Sequence, residues 1–321
     1  MTEKKRYRKL AISFLAAFSI HAQADTRGID LEFAAENNPT AAFETTYRAL
    51  FIGNNDYRDP QMRWQPLRTA ISDANVLAAL LREYYGFSDV TVLHNATRKD
   101  TLRALEALLD RIEPGDSVLV YYAGHGYLDS QTEKGFWIPV DAVGEDNTTY
   151  LRNSTIRDEL VSIANRALHT LLISDSCFSG TLLRSASRSI RPSTNIERYY
   201  EKVAQKKSVQ IITAGGVEYV DDNYKNSGHS PFSYFLINEL KHNNSPMITA
   251  SELSFNVERA VANNVEQVPE SGVLQGAGDE LGEFIFFRFK LEVEGRAKIR
   301  VNPAQIEKDV PKPRPMPLPT L

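Results

Sequence analysis

The chain has 321 residues, 42% hydrophobic and 24% charged, with 37 basic and 41 acidic side chains and a formal net charge of −4. That balance is ordinary for a globular protein and excludes the strongly basic surface that nucleic acid or an anionic membrane would select. The length permits one large domain or two small ones, and a single cysteine excludes an internal disulfide framework.

The first 24 residues have the parts of a secretory signal peptide. Lys4, Lys5, Arg6, Arg8 and Lys9 form a basic head, "LAISFLAAFSI" an apolar stretch, and Ala22-Gln23-Ala24 a small-residue cleavage site. The apolar run is shorter than the roughly 20 residues a spanning helix needs. The expectation is cleavage after Ala24, export to the periplasm or beyond, and no stable membrane span afterwards. An uncleaved anchor or a buried helix is the alternative. In an exported chain, one unpaired cysteine means an intermolecular bridge or a free thiol. Residues 25–46 are polar and aperiodic and read as a linker.

The chain then alternates. "YRALFIG" (47–53) is a short apolar run stopped by Gly-Asn-Asn, as a buried strand would be. Apolar residues at 67, 71, 74, 77, 80 and 81 have helical spacing. "DVTVLH" (89–94) is strand-like. Thr97 and Asp100 open a helix as a capping box, and Pro114-Gly115 closes that segment. "DSVLVYYAG" is the strongest strand signal. Thr155 and Asp158 read as a further helix cap, "LHTLLIS" and "SVQIITAGG" as strands. "PFSYFLINELK" reads as a helix, Thr249 and Glu252 as the capping box of the next one, and "GEFIFFRF" as the last strand. Residues 291–321, with prolines at 303, 311, 313, 315, 317 and 319, form an extended tail that serves as a spacer or docks a partner. Strands separated by helices imply right-handed crossovers and a mostly parallel sheet covered on both faces.

Two motifs follow strands: "YYAGHGY", with His125 between Gly124 and Gly126, and "LLISDSCFSG", with Cys177. The carboxyl ends of parallel strands are where open α/β folds build sites. A thiol near pKa 8.5 needs a base to become a nucleophile, and an imidazole can take its proton and later protonate a leaving amine. Backbone N–H groups at Gly126 and Cys177 are candidates to stabilise an oxyanion, and the flanking glycines would let the backbone approach a substrate. Alone, a histidine is usually a polar residue and a cysteine a small buried hydrophobe; it is the pair at two strand ends that points to catalysis.

The segments "ALFIGNNDYRD", "LRTAISDANVLAALL", "VLVYYAGHGY", "WIPVDA", "LLISDSCFSG", "GHSPFSYFL" and "GEFIF" occur in an order that resembles the caspase-like cysteine peptidases, the clan of caspases, metacaspases and paracaspases. The separation of His125 and Cys177 (177 − 125 = 52) matches the caspase spacing of about 50. The resemblance covers residues 47–290. It implies a caspase-hemoglobinase-like sandwich with a mostly parallel six-stranded sheet flanked by helices, a His125–Cys177 dyad acting through a thioester acyl-enzyme, and no catalytic metal or other cofactor. Asp175-Ser176 stands where animal caspases carry Gln-Ala. Asp73, Asp175 and Glu218 match acids of metacaspases and paracaspases, which implies an S1 pocket for P1 Arg or Lys. A cation relieves a buried carboxylate, and arginine can do so bidentately. Each acid could instead be a surface charge or a helix cap.

The segment between Gly180 and Lys207 is basic. It is either a solvated loop or a self-cleavage linker, with Arg184, Arg188, Arg191 and Arg198 as candidate sites. Asp221-Asp222 and Glu145-Asp146 are weak candidates for an activating calcium ion, and a structural zinc site is disfavoured. His94, His169, His229 and His242 lack a motif, although His229 lies in a loop that could border the pocket. No phosphate-binding loop or G-x-S-x-G elbow appears. The rival readings are a caspase-fold scaffold without activity, an Asp-directed peptidase, and an adhesion protein working through its tail.

Overall fold

A computed structural model of the chain describes residues 45–176, 196–215, 222–274 and 276–288. Cys177, Glu218, Asp221, Arg184, Arg188, Arg191, the side chain of Arg198, the proposed signal segment and the Pro-rich tail lie outside the described residues.

The central sheet has six strands. In chain order they are β1 (Tyr47–Gly53), β2 (Phe87–His94), β3 (Ser117–Ala123), β7 (His169–Asp175), β8 (Ser208–Thr213) and β10 (Glu270–Val273). Their spatial order is β10-β8-β7-β3-β1-β2, and only β10 runs antiparallel to its neighbour. A parallel strand inside such a sheet must be apolar on both faces, and every residue of β3 is buried.

The two faces are read out by alternation. Ala49, Phe51, Leu119, Tyr121, Leu171 and Ile173 enter one core, whereas Leu50, Ile52, Val118, Val120, Tyr122 and Leu172 enter the other. The first core is closed by α1 (Ala70–Tyr85), α5 (Pro231–His242) and α6 (Ala250–Ala262) through Leu77, Leu81, Phe232, Leu236, Leu253 and Val257. The second is closed by α2 (Arg98–Leu109) and α3 (Asn153–Arg166) through Leu105, Leu108, Ile156 and Leu160. A short helix, α4 (Ile196–Ala204), leads into β8. The six-stranded, mostly parallel sheet read from the sequence is the observed architecture.

Local signals explain most boundaries. Thr97 with Asp100, and Thr249 with Glu252, form reciprocal capping boxes at α2 and α6. Gly86 ends α1 at φ 72°, a left-handed cap that suits glycine. Two expectations are corrected. α3 begins at Asn153, so Thr155 and Asp158 sit inside the helix rather than at its cap; β6 (Leu151–Arg152) runs straight into it and sets the start earlier. Within "GEFIFFRF", β11 (Ile285–Phe287) pairs with β9 (Met247–Thr249) in a separate two-stranded ribbon, not with the main sheet. The sixth strand is β10, whose Ser-Gly centre carries little strand propensity. A small antiparallel sheet of β4 (Gly126–Asp129), β5 (Lys134–Trp137) and β6 projects beyond β3.

Gly53 is fixed by a close approach rather than by its torsions. A β-carbon there would lie 2.5 Å from the Ala70 carbonyl oxygen, at the start of α1. Because the obstacle is backbone, relief requires α1 to shift. Gly53→Ala should therefore lower unfolding free energy by about 1–3 kcal/mol, measured by urea denaturation of the purified protein; an unchanged midpoint would contradict the close packing of β1 on α1.

Candidate active site

The strand register builds one edge. Gly53 pairs with Ala123, and Ala123 with Asp175, so β1, β3 and β7 end level with one another. The Gly124 N–H donates to the Asp175 carbonyl at 3.3 Å, which locks the chain together just beyond the strands. His125 stands two residues past the end of β3, and Ser176, the residue before Cys177, follows β7 directly. One cleft is lined by His125, Asp73, Asp175, Ser176, Asp222 and Ser230, among others.

His125 is held from several sides. Its backbone N–H donates to the Tyr57 hydroxyl at 2.7 Å, and the Tyr122 hydroxyl reaches its carbonyl oxygen at 2.9 Å. The imidazole packs at 4.6 Å from the Tyr57 ring and 5.7 Å from Trp64, measured between centroids. Nε2 lies 2.7 Å from the Gln65 carbonyl oxygen. A carbonyl can only accept, so Nε2 carries the hydrogen and the neutral ring keeps Nδ1 as its acceptor. Burial pushes the His125 pKa down, opposed by the Gln65 carbonyl and the negative charge of Asp222. The imidazole is therefore neutral near pH 7 and free to take a proton. Gly124 serves packing here, because a β-carbon would come within 2.8 Å of the Tyr57 and Tyr122 hydroxyl oxygens.

The acids meet at the N-terminus of α5. Asp73 lies in the first turn of α1 and is 1% exposed. Its Oδ1 accepts from His229 Nδ1 at 2.5 Å and its Oδ2 from the Ser230 N–H at 3.2 Å. Asp175 Oδ2 accepts from the Ser230 hydroxyl at 2.5 Å and the Ser233 hydroxyl at 2.6 Å. Ser233 Oγ is in turn 2.7 Å from the Tyr121 hydroxyl. Ser230 is also the N-cap of α5, with Pro231 at the first helical position, so the positive end of the helix faces both carboxylates. Burial still dominates. It raises the Asp73 pKa to about 7 against the pull of His229, with the charge of Asp175 adding to the rise. Burial also raises Asp175, partly offset by the two serine hydroxyls. Asp222 sits at the rim, where its carboxylate binds Arg68 Nη2 at 2.9 Å and its carbonyl accepts from the Thr69 hydroxyl at 2.5 Å.

The structure thus gathers His125, Asp73 and Asp175 around one cleft. Glu218 and Cys177 lie outside the described residues. The remaining candidates fall elsewhere. His169 is buried between Ser208 Oγ and the Ala204 carbonyl, and its pKa is pushed down to about 4 by burial. His94 bonds Asn75, and His242 bonds the Asn238 carbonyl of its own helix. Glu145 pairs with Arg63 at 2.7 Å, and Asp146 accepts from the backbone and hydroxyl of Thr148, which engages both members of one suggested calcium pair. Among the described residues, no three His, Cys, Asp or Glu side chains cluster as metal ligands would. Sequence reasoning missed the Gln65 carbonyl, which as a backbone group has no residue signature; it placed His229 in a loop that could border the pocket but did not pair it with Asp73.

The chain resembles known proteins over most of the described residues. A family model described as a caspase domain matches residues 46–273. Metacaspase-1B of Aspergillus fumigatus is 28% identical over 150 residues, covering 42% of this chain and 36% of the relative. Metacaspase-4 of Arabidopsis thaliana is 29% identical over 183 residues, covering 51% of this chain and 40% of the relative. The match therefore spans well under half the length of either metacaspase. A crystal structure of protein GSU0716 from Geobacter sulfurreducens overlays with a TM-score of 0.47 at 19% identity, covering 74% of this chain and 99% of that one. With the family model matching most of the chain around the β3 and β7 edge, this protein belongs to the caspase-domain family of cysteine peptidases.

Proposed function

We propose that the chain is an exported cysteine endopeptidase that cleaves polypeptides after Arg or Lys. The observation that carries the specificity is the meeting of Asp73 and Asp175, distant in sequence, in the cleft that His125 lines. Neither carboxylate has a Lys or Arg partner among the described residues. Buried carboxylates raised in pKa and short of a cation favour a cationic side chain and repel an aspartate at P1.

In the proposed reaction His125 Nδ1 removes the Cys177 proton, and the thiolate attacks the scissile carbonyl carbon. The oxyanion is stabilised by the N–H groups of Gly126 and Cys177. As the tetrahedral intermediate collapses, the imidazolium protonates the leaving amine and a thioester remains. Water, deprotonated by the same imidazole, hydrolyses the thioester and regenerates the thiol. The Gln65 carbonyl supports each step by fixing the tautomer. No cofactor enters this scheme. Glu218 completes the proposed S1 set, and the Pro-rich tail is a proposed docking segment. Export rests on the signal-like segment at residues 1–24 and is checked by mass spectrometry of the mature N-terminus, expected at Asp25.

Fluorogenic peptides ending in Arg, Lys or Asp should rank Arg first and Asp last. Cys177→Ala should abolish turnover while the melting transition persists. Fastest cleavage after Asp would reject the specificity. On gels, the wild type should fragment between Gly180 and Lys207 under active conditions while Cys177→Ala stays whole; an intact active wild type would reject self-processing.

Asp175→Asn keeps an oxygen for Ser230 and Ser233 but loses the charge. It should reduce kcat/KM for P1 Arg roughly 100-fold, as expected from losing a charge-assisted contact of about 3 kcal/mol. Stability should move the other way. Because the native pKa of Asp175 is raised, the folded wild type holds this proton more tightly than the unfolded chain. Its stabilisation is complete below the ordinary aspartate range and is lost as pH rises through the native value. Relative to wild type, the variant should thus gain stability as pH rises above the ordinary aspartate range in urea titrations of the empty enzyme.

A further inference from the structure

The acid pocket contains a titratable base that the proposed reaction does not use. His229 Nδ1 is 2.5 Å from Asp73 Oδ1, and its side chain is 17% exposed, so the contact is largely shielded from water. With the Ser230 N–H on Oδ2, both oxygens of Asp73 are engaged. Both hydrogen bonds to Asp175 fall on its Oδ2, and its Oδ1 has no partner among the described residues. Two acids of one pocket therefore differ in readiness.

We propose that His229 is a specificity-determining residue of the P1 pocket, one that occupies Asp73 in the empty enzyme and leaves Asp175 as the carboxylate that first receives the substrate's cation. The proposal rests on the Arg/Lys-directed reading above. When His229 and Asp73 share one proton, the pair is neutral and the pocket keeps the single charge of Asp175. A second proton turns the pair into a cation facing the incoming guanidinium, and P1 binding weakens. These protons belong to the pair rather than to either residue.

The charged and titratable groups around this pair come from several elements, and burial raises Asp175 as well as Asp73. Asp175 approaches from β7. Tyr121 approaches from β3 and is held neutral, because burial and the two acids push its pKa far up. Asp222 and Arg68 are paired with each other at the rim, and His125 stands across the cleft. On the turn before His229, Lys225 lies over the Tyr224 ring. Glu218 and Asp221 belong to a segment outside the described residues.

His229→Asn retains a donor near the Nδ1 position and removes the charge. His229→Gln is a second neutral variant, and cooperative melting identifies the one that is folded. KM and kcat for a P1-Arg peptide are then measured from pH 5 to 9. In the wild type, KM should rise at least 5-fold toward the acid end, and in the neutral variant the rise should be smaller, the remainder coming from protonation of Asp175. The acid limb of kcat, governed by the dyad, should be the same in both. Superimposable KM profiles, or a difference confined to kcat, would overturn the role of His229 while leaving basic P1 specificity intact. Preferred cleavage by the wild type after Asp or a neutral residue would overturn the Arg/Lys reading and this proposal with it.

Discussion

One serine holds the acidic side of the cleft together. Ser230 caps α5, gives its N–H to Asp73 and its hydroxyl to Asp175, and so ties α1, the end of β7 and α5 at a single point. Two carboxylates placed side by side out of water would ordinarily push the elements apart. Here they are offset by hydroxyls, a helix N-terminus and one imidazole, with Pro231 fixing the backbone just inside the helix. Among the described residues no lysine or arginine completes the neutralisation. That absence on Asp73 and Asp175, among the described residues, is what a pocket for a basic side chain requires.

The His125 side of the cleft depends on register. Parallel pairing brings Ala123 level with Asp175, so His125, two residues beyond one strand, and Ser176, directly after its neighbour, follow from adjacent points on one edge. The base needs further support because it stands on a turn. Tyr57 holds the His125 backbone, the Gln65 carbonyl holds Nε2, and Tyr57 and Trp64 pack on the ring. This support comes from the loop between β1 and α1, which packs with Phe136 and Tyr150 into a small aromatic core of its own. Any shift of α1 would disturb both sides at once, since α1 carries Asp73 and begins where this loop ends.

Much of this was legible in the residues because the physics is local. β1 and β3 are short apolar runs closed by glycine, and α2 and α6 announce themselves through Thr97–Asp100 and Thr249–Glu252. What escaped was non-local. β10 is a strand by virtue of its partner β8, since Glu-Ser-Gly-Val alone argues for a turn. β11 looked like a member of the main sheet because an apolar run does not state its partner. Thr155 looked like a cap because a capping pattern cannot reveal that an earlier strand already delivers the chain into helix at Asn153. At the site, His125, Asp73 and Asp175 were readable as residue types at strand and helix ends. The Gln65 carbonyl and the His229–Asp73 contact depend on loop paths that no spacing encodes.

Burial does two opposite things in the same cleft. It lowers the pKa of His125 and raises those of Asp73 and Asp175. The sign differs because desolvation penalises whichever form is charged, the imidazolium for the base and the carboxylate for the acids. For His125 this yields a neutral acceptor ready for a thiol proton. For the acids it yields carboxylates that are strained when ionised and gain most when a guanidinium or ammonium arrives. Entry of a basic P1 side chain expels more water and adds the missing charge, so binding should strengthen the ionisation of Asp73 and Asp175 while further desolvating His125. In the proposed reaction, excluding water is therefore a single change that prepares the base and the P1 pocket together, and this gives a physical reason for placing the two acids beside the histidine rather than in a separate, solvated subsite.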